Sequence, residues 1–580
     1  MKHLARQFRR FLAYKRTLAF GLLCIPFASA ADLWLTILVG DALDDLRTAT
    51  DARFLATLFF LMLGVAFVRG TFRFYQRWWI VGVSRYVEND LKQALFDKLL
   101  ALPLSFHHKN RSGDLVSRIT SDVENIRMFL GPGLMYTLGA VCMLPLSIGT
   151  MVVLNAPLAA AVVVPLCVMG LGMWLLSPRL QRHSLAVQEA MADISQRAQE
   201  TFAGVRIVKG YAREDEQTTK FDAASRTNFR HQIELGKARG FSNAITWGSK
   251  DFTYLPILLI GGWSMIDRDF AAGDLFKFVD LTFKVFWPII AVGWLAGVFP
   301  RAQVSAQRVQ ELLDAPNEIE DPPVPKELAE VRGHFALTDV EFTYPGASEP
   351  TLSGITFEVR PGEVVGIVGA TGSGKSTLLN LFARLYDARG RFELDGVPLA
   401  ELRLATLRGA VGYVPQDSFL FSATWRENLS FGSAHALTDA ELAELASLSC
   451  MTDEVARFPQ GYDQTIGERG VTLSGGQRQR SCIARALAKD PPVLILDDSL
   501  SAVDTETETA LVRHLKSAGH GRTVILSAHR LSTVRHADRI VVLDKGRIEA
   551  IGTHDELVMR DGWYASTWAR QQAQEELAEL

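Results

Sequence analysis

The N-terminal half of the chain contains a series of apolar stretches, each long enough to cross a lipid bilayer as a helix. About 20 helical residues span the hydrocarbon core, which is roughly 30 Å thick. Segments of this length occur at residues 17–40, 54–81, 132–154, 156–177, 241–266 and 274–299. This feature constrains the fold most, because a segment in lipid must satisfy its backbone hydrogen bonds internally. The sequence therefore predicts an α-helical membrane domain of six spans over residues 1–312.

The first apolar stretch follows a basic run and could be mistaken for a secretory signal peptide. The apolar core of a signal peptide is about 7–15 residues long. Residues 17–40 exceed that length and also exceed the minimum for a membrane span. We therefore interpret this stretch as a retained first helix.

The connections between the apolar segments alternate between short and long. The long ones, at about 82–131 and 178–240, are polar and carry many basic residues. Loops rich in Lys and Arg stay in the cytoplasm, so we expect the N-terminus and both long connections inside and the acidic loop 41–53 outside. Segments 105–126 and 210–225 are candidates for coupling contacts with another domain, the alternative being ordinary solvated loops.

The pattern changes after residue 312. An acidic linker with several prolines covers residues 313–333, and proline marks a boundary because it removes helix donors. From residue 334 to 580, short β-branched runs alternate with helical ones, which predicts an α/β domain around a largely parallel sheet. The net charge of −3 gives no argument for nucleic acid, and the five cysteines form no C-x-x-C pair that would indicate a disulfide or zinc framework.

A complete phosphate-loop pattern, G-x-x-x-x-G-K-S, covers residues 369–376. It follows an apolar run that reads as a buried strand and precedes a helical run, which is the context this motif needs. Its glycines let backbone N–H groups converge on phosphate oxygens, its lysine contacts the β/γ-phosphates, and its serine hydroxyl binds Mg²⁺. The predicted ATP-binding residues are Gly369, Thr371, Gly372, Ser373, Gly374, Lys375, Ser376 and Thr377.

A second acidic element follows another apolar run, at residues 493–496. The run ends in Asp497 and Asp498, so a carboxylate emerges at a strand end. Paired with the phosphate loop, this position suits a second magnesium contact, which we assign to Asp497.

Between these motifs stands Leu-Ser-Gly-Gly-Gln-Arg-Gln-Arg at residues 473–480. With it the chain resembles an ATP-binding-cassette (ABC) exporter half-transporter over essentially its whole length, which implies the type IV ABC exporter fold. The resemblance implies that Tyr344 stacks on adenine, that Gln416 is a catalytic and metal-binding glutamine, that Asp504 lies in the D-loop and that His529 is the switch histidine. It also implies that the Gly-Glu-Arg-Gly run at residues 467–470 is the family element that precedes the signature. The signature residues are Leu473, Ser474, Gly475, Gly476 and Gln477.

The resemblance further implies a dimer in which each ATP lies between one partner's phosphate loop and the other partner's signature. The family normally has Glu after the magnesium-binding Asp, whereas this chain has Asp498. Aspartate is one methylene shorter, and phosphoryl transfer depends on positioning, so a displacement near 1 Å costs on the order of a hundredfold. We expect a slow catalytic site, as in the bacterial heterodimeric exporters that pair such a chain with a Glu-containing half. The alternative is a homodimer that hydrolyses ATP with Asp as the base.

Charged residues within the apolar segments are candidates for a substrate cavity. These are Arg69, Asp251 and Asp280. The alternative is structural pairing, with Arg69 bonded to an acid such as Asp280 and with Arg73 and Arg77 near the cytoplasmic interface.

The resulting hypothesis is an ATP-driven exporter in the bacterial cytoplasmic membrane, with its N-terminus and nucleotide-binding domain in the cytoplasm. It uses ATP and Mg²⁺ and moves amphipathic drugs, lipids or peptides by alternating access as one half of a heterodimer. The partners expected are a second half-transporter, membrane lipid and the cargo, with no nucleic acid. The alternatives are a homodimeric lipid or drug flippase and an ATP-gated channel or regulator without net transport.

Overall fold

The protein is described by a computed structural model that covers residues 2–46, 52–266, 270–467, 470, 473–517 and 521–579. The chain divides into two compact units. The first consists of Met1–Leu100 with Gly113–Ala315, and the second of Ala101–Ser112 with Pro316–Leu580. The loop predicted at residues 41–53 lies partly outside the described residues.

The first half of the chain is helical. Its helices are α1 (Lys2–Phe11), α2 (Lys15–Asp45), α3 (Ala52–Ala101), α4 (Leu104–Lys109), α5 (Ser112–Ser117), α6 (Val123–Met128), α7 (Leu134–Leu154), α8 (Ala156–Ala203), α9 (Val205–Gly210), α10 (Glu214–Phe252), α11 (Tyr254–Pro256), α12 (Gly262–Ile266) and α13 (Ala272–Leu313). A 3₁₀ turn at Leu12–Tyr14 joins α1 to α2, and π-helical turns occur at Arg118–Asp122, Phe129–Gly133 and Ile257–Gly261.

Within the described residues, five helical stretches are long and apolar enough to cross a membrane. They are Lys2–Asp45, Arg53–Ala101, Ser112–Leu154, Ala156–Ala203 and Ala272–Leu313. They include five of the six predicted segments. The sixth, residues 241–266, is helical but divided among α10, α11, the third π turn and α12. At the first break the Thr253 hydroxyl donates to the backbone carbonyl of Lys250 (2.5 Å), a bond that competes with the helical pattern and bends helices.

Several of these helices are longer than a bilayer is thick. α3 contains 50 residues and α8 contains 48. At about 1.5 Å per residue, α3 is about 75 Å long, more than twice the roughly 30 Å of a hydrocarbon core. A helix of this length extends well past the lipid, in line with the helical pattern of the long polar connections.

The core of the first unit lies along α13, which packs against α2 and α7. A buried cluster joins Leu158 and Val162 of α8 to Phe278 and Leu281 of α13, with Ile257 beside them. α8 also packs along α10. In contrast, the most apolar stretch of α3 is only 6% buried, so its side chains are exposed in the single chain. Exposed apolar faces on a spanning helix are suited to lipid or to a second subunit.

The second unit contains ten strands in its described residues. They are β1 (Phe335–Phe342), β2 (Leu352–Val359), β3 (Val364–Gly369), β4 (Arg389–Leu394), β5 (Val397–Pro398), β6 (Val411–Val414), β7 (Val493–Asp497), β8 (Thr523–Ser527), β9 (Arg539–Asp544) and β10 (Arg547–Gly552). One sheet has the order β2-β1-β4-β5 and is antiparallel. The other has the order β10-β9-β3-β8-β7-β6, in which only the β10–β9 pair is antiparallel.

Helices surround these sheets. They are α14 (Lys375–Phe382), α15 (Leu404–Ala410), α16 (Trp425–Ser430), α17 (Asp439–Leu448), α18 (Thr452–Ala456), α19 (Gly475–Leu487), α20 (Thr505–Ser517), α21 (Leu531–Val534), α22 (His554–Met559) and α23 (Trp563–Glu579). Short 3₁₀ turns occur at Leu399–Glu401 and Gly461–Asp463.

The central strand β3 is buried on both faces, which explains its unbroken apolar sequence. Val364 and Val368 belong to one core, and Val365 and Ile367 belong to the other. The predicted α/β domain with a largely parallel sheet is thus confirmed. Because parallel strands end at the same edge, the residues that follow β3, β7 and β8 are brought together there.

The predicted coupling segment 105–126 is divided between the two units. Its first part, residues 105–112, belongs to the second unit, as does the whole of α4. There Leu104 packs against the core that contains Tyr386, and the Tyr386 hydroxyl lies 3.1 Å from Nδ1 of His108. Burial, with the neighbouring Tyr344, raises the pKa of Tyr386 to about 12, so it stays a neutral hydrogen-bonding group.

Candidate nucleotide site

The phosphate loop connects β3 to α14 and turns tightly between them. Gly374 caps α14 with a φ of +102°, a conformation that glycine adopts without the steric cost of a side chain. The Cβ of any other residue at Gly374 would also lie 2.7 Å from Cδ2 of Leu352. The pattern predicted from sequence therefore has the strand, turn and helix that it requires, with the N-terminus of α14 at the loop.

Lys375 is folded back onto its own loop. Its Nζ donates to the carbonyls of Gly369 (3.0 Å) and Ala370 (3.1 Å), and only 7% of the residue is exposed. Burial lowers the pKa of Lys375, while the nearby carboxylates of Asp498 and Asp497 oppose that shift. A buried ammonium that is bonded to carbonyls gains by exchanging them for an anionic phosphate.

The two residues predicted to hold magnesium from the protein side, Ser376 and Asp497, are adjacent. The Ser376 hydroxyl, on α14, donates to Oδ1 of Asp497, at the end of β7, over 3.0 Å. Ser527, at the end of β8, donates to the same oxygen at 2.7 Å. Burial raises the pKa of Asp497, and the bonds from Ser527 and Ser376 favour its charged form. A serine hydroxyl and a carboxylate beside a phosphate loop are a donor set that fits Mg²⁺.

Ser527 was missed by the sequence reasoning. It is the direct partner of Asp497 in the β7–β8 register. Its position two residues before His529, at the end of an apolar strand, is the signal that could have identified it. Such a prediction also needs the register of β7 and β8, because consecutive strands are usually neighbours but their sequences do not state which residues lie side by side.

Asp498 is held by serines on both sides of its peptide backbone. Its N–H donates to the Ser527 hydroxyl at 3.0 Å and, less closely, to the Ser527 carbonyl at 3.2 Å. Its carbonyl accepts from the Ser501 hydroxyl at 2.9 Å. Its φ is +44°, a conformation in which Asp is more common than most side chains. With the backbone fixed, the reach of the carboxylate depends on side-chain length alone.

The signature residues form the N-terminus of α19. Ser474 caps the helix by accepting from the Gln477 N–H (3.2 Å), and Gln477 Oε1 accepts from the Ser474 N–H (3.0 Å). This reciprocal cap uses a lone pair of the Ser474 hydroxyl and leaves its hydrogen available to donate. A Cβ at Gly476 would lie 2.8 Å from the Ala502 carbonyl, so only glycine fits against the D-loop there. The residues Glu468 and Arg469 of the element before the signature lie outside the described residues.

Gln479, two residues beyond the signature, connects it to the D-loop. Its Oε1 accepts from the Ala502 N–H (2.9 Å) and its Nε2 donates to the Ser501 hydroxyl (3.1 Å). Asp504 caps α20 by accepting from the Thr507 N–H (2.9 Å), and the hydrogen bonds from Thr507 lower the pKa of Asp504. In the described part of the chain, the signature makes no hydrogen bond to the phosphate loop.

Three further predicted residues follow the ends of strands. Tyr344 follows β1, and its hydroxyl lies 3.0 Å from the Thr377 hydroxyl, which places this aromatic ring beside the start of α14. Gln416 follows β6 and His529 follows β8, and both are exposed. The remaining predicted residues, Thr371, Gly372 and Ser373, lie in the loop itself.

The charged residues of the spanning helices form an ion network that the sequence did not predict correctly. Arg69 pairs with Asp32 of α2 (3.0 Å), rather than with Asp280. Arg73 pairs with the other oxygen of Asp32 (2.7 Å). Lys284 contacts Asp32 (3.3 Å) and Asp280 (2.9 Å). Asp32 was overlooked because a lone acid in an apolar run gives no indication of its partners.

Asp251 stands apart from this network. Its side chain is 68% exposed and lies 3.5 Å from Lys250. The three residues predicted for a substrate cavity therefore differ in surroundings. Arg69 and Asp280 are linked through Asp32 and Lys284, whereas Asp251 is open.

Comparisons with known proteins agree with this geometry. Residues 18–289 match the family model described as "ABC transporter transmembrane region", and residues 352–501 match the one described as "ABC transporter". The chain is 32% identical to a probable multidrug resistance ABC transporter ATP-binding/permease protein, YheI, of Bacillus subtilis (strain 168), over 97% of this chain and 96% of that protein. It is 31% identical to an ATP-dependent lipid A-core flippase of Photobacterium profundum, over 95% of each chain. Among solved structures, a bacterial Atm1-family ABC exporter with ATP bound matches with a TM-score of 0.78 and 29% identity, over 96% of this chain and 99% of that one.

Proposed function

The chain belongs to the ABC transporter family and has the exporter fold that couples ATP hydrolysis to transport, and from this premise we propose that it is one half of a heterodimer. Its phosphate loop forms a slow ATP site with the partner's signature. Its own signature completes the partner's fast site. The assembly moves amphipathic drugs, lipids or peptides out across the bacterial cytoplasmic membrane, with the N-terminus and the nucleotide-binding unit in the cytoplasm.

One observation carries this proposal, namely the carboxylate at Asp498. The resemblance gives glutamate at this position, where it orients or deprotonates the attacking water. Because Ser527 and Ser501 bond to the backbone of Asp498, a forward movement of the chain to compensate for the missing methylene would break these hydrogen bonds. A base that stops about 1 Å short of the water costs on the order of a hundredfold in rate.

The arrangement of the signature supports a dimeric assembly. Gln479 and Gly476 attach the signature to the D-loop of its own chain. The free hydrogen of the Ser474 hydroxyl at a helix N-terminus is suited to a phosphate that another subunit presents. A second subunit is therefore required to complete each nucleotide site.

Magnesium has a place in this site beside the nucleotide phosphates. Ser376 and Asp497 would hold it, with Gln416 reaching in from the end of β6. When bound, it would neutralise charge on the phosphates. Lys375 binds the β- and γ-phosphates, Tyr344 stacks on adenine, and His529 contacts the γ-phosphate.

The cargo class rests on the relatives, whose names refer to multidrug resistance and to lipid A-core flipping. The ion network around Asp32 supports a structural role for Arg69 and Asp280, because both are already paired. Asp251 is the remaining cavity candidate.

The decisive experiment compares a substitution in the signature, which completes the partner's ATP site, with one at Asp498, which belongs to this chain's own ATP site. Ser474→Ala in the assembly with the partner half should reduce ATP turnover about a hundredfold, as loss of one transition-state donor does. Asp498→Asn should reduce it less than about threefold, since a slow site contributes little. If instead Asp498→Asn abolishes turnover of a dimer made of this chain alone, the homodimeric flippase is correct.

Thr438→Ala is the matched control for Ser474→Ala. Thr438 forms the same reciprocal cap on α17, with Glu441 in the place of Gln477. Loss of that cap costs about 1 kcal/mol of stability but should leave turnover unchanged within about twofold.

Uphill accumulation of a dye in inverted vesicles separates the exporter from the ATP-gated channel, because a channel moves no cargo against its gradient.

A further inference from the structure

The C-terminal helix α23 packs on the second unit with one face. Tyr564, Thr567, Trp568 and Gln571 follow the i, i+3, i+4, i+7 spacing of a single helical stripe. Tyr564 and Thr567 are 3% and 5% exposed. Trp568 stacks edge-on against His554, with ring centroids 4.6 Å apart. Gln572, Ala573 and Gln574, which follow, are exposed, and Gln571 is the last packed residue among the described side chains of this helix.

The amide of Gln571 bonds to the segment that carries His529. Its Nε2 donates to the carbonyl of His529 (3.1 Å), and its Oε1 accepts from the N–H of Leu531 (2.9 Å). Only one orientation of the amide satisfies both groups, because a carbonyl needs a donor and an N–H needs an acceptor. Leu531 is the first residue of α21, whose N–H has no partner within its own helix. The bond therefore fills a position that a helix cap would otherwise occupy.

The His529 segment is consequently held at both ends. At its start, Ser527 bonds to Asp497 and to the backbone of Asp498. At its end, Gln571 bonds on either side of Arg530. Between these anchors the imidazole of His529 is exposed, so the course of its own backbone sets its direction.

We propose that Gln571 is a positioning residue that aims His529 at the nucleotide and couples the C-terminal helix to ATP hydrolysis. This inference rests on the proposed function in one respect, the contact of His529 with the γ-phosphate. Loss of the Gln571 amide frees the 529–531 backbone and lets the imidazole leave its bound position, as expected when two hydrogen bonds to one turn disappear.

Hydrogen exchange of the full-length chain in lipid nanodiscs tests this without requiring turnover. The readout is the exchange rate of a peptide covering residues 528–534, with and without ATP and Mg²⁺. In the unmodified chain, ATP should slow exchange of this peptide. In Gln571→Ala the Leu531 amide should exchange about tenfold faster without ATP, and the protection by ATP should shrink. Gln572→Ala, an exposed position on the same helix, should match the unmodified chain.

A turnover measurement separates positioning from general packing. It uses the Asp498→Glu background together with a partner half whose own catalytic glutamate is replaced by Gln, so that the measured turnover comes from this chain's site. There Gln571→Ala should lower kcat about five- to tenfold with little change in KM. The same substitution in a chain that also carries His529→Ala should have no further effect, because a residue that acts through His529 has nothing left to position.

Gln571→Glu adds a second test. Its carboxylate still accepts from the Leu531 N–H but repels the His529 carbonyl, so exchange at Leu531 should stay slow while kcat falls as in Gln571→Ala. Unchanged exchange in Gln571→Ala, or an equal kcat loss with and without His529, would overturn the inference. Absence of any turnover gain in Asp498→Glu would instead contradict the proposed function, and the exchange data would still decide the role of Gln571.

Discussion

Both units bury charged side chains, but they compensate the charges differently. In the first unit, Asp32 accepts from Arg69 and Arg73 and contacts Lys284, so the ions satisfy one another. In the second, Lys375 is bonded to two carbonyls of its own loop. This difference in how the charges are compensated distinguishes a structural cluster, around Asp32, from a ligand-binding site, around Lys375. A closed ion network is costly to break because each charge compensates another, whereas a buried cation on neutral carbonyls retains the capacity to bind an anion.

The largest effect on stability is expected when the ion network around Asp32 loses its shared carboxylate. Asp32→Asn removes the carboxylate that two arginines share and leaves their charges without compensation in the membrane. Because Asp32 is buried but the side chains of Arg69 and Arg73 are 33% and 60% exposed, the expected cost lies between that of an exposed and a buried pair, at about 1–3 kcal/mol. The folded fraction and the thermal midpoint of the full-length protein, followed by fluorescence-detected size exclusion, should both fall. A midpoint equal to that of the unmodified protein would show that Asp32 has no structural role.

The second largest effect is expected on ATP binding, without a loss of stability. Lys375→Met should weaken ATP binding to this chain about 10- to 100-fold, since a charge-assisted hydrogen bond to phosphate is lost. The thermal midpoint without nucleotide should not fall, because a partly desolvated charge is removed. Photolabelling of this chain with an azido-ATP measures the affinity.

Lys489→Met is the matched control for Lys375→Met. Lys489 also donates to two backbone carbonyls, of Arg408 and Val411, but it is not part of the nucleotide site. Burial lowers the pKa of Lys489 as it does that of Lys375, so its substitution should likewise not lower the thermal midpoint, and ATP affinity should stay unchanged within about twofold. If both substitutions weaken ATP binding equally, a buried lysine bonded to carbonyls does not by itself identify an anion-binding site.

A smaller effect depends on pH. Burial raises the pKa of Asp497 above its unfolded value, so the folded chain holds this proton more tightly than the unfolded chain. The stability that the group contributes is present at low pH and is lost as pH rises through the folded-state pKa. Asp497→Asn should therefore raise the thermal midpoint of the nucleotide-free protein at about pH 8, and raise it less at about pH 5.

Asp490→Asn provides the control for Asp497. The Asp490 side chain is 93% exposed and pairs with Arg522, so its substitution should produce no comparable gain at high pH. A gain at Asp497 that is independent of pH would assign the effect to packing instead of ionisation. ATP with Mg²⁺ should also stabilise Asp497→Asn less than the unmodified protein, because the carboxylate is a proposed metal ligand.

The smallest effect is expected at the open position of the membrane unit. Asp251→Asn removes an exposed charge that lies beside Lys250, and such pairs contribute about 0–1 kcal/mol. The thermal midpoint should stay nearly constant. If Asp251 faces the cargo, the rate of dye transport should change while the midpoint does not. A change in neither quantity removes Asp251 from the substrate cavity.

The sequence by itself determined the local features of this protein. Apolar length identified five segments that lie in helices long and apolar enough to cross a membrane, because a membrane requires a helix of minimum length wherever it occurs. The phosphate loop was also readable, since its glycines, lysine and flanking strand are consecutive residues that perform one task. The sixth predicted segment was harder, because the helix is interrupted at Thr253, where a local side-chain bond forms that hydropathy does not register.

Only the tertiary structure decided how distant side chains pair. Ser527 meets Asp497 through the register of two parallel strands, Asp32 meets Arg69 across two helices, and Gln571 reaches His529 from the C-terminal helix. Each of these contacts joins residues about 30 or more positions apart. A hydrogen bond or ion pair requires approach within a few ångströms, and no periodicity along the chain encodes which remote element supplies the partner.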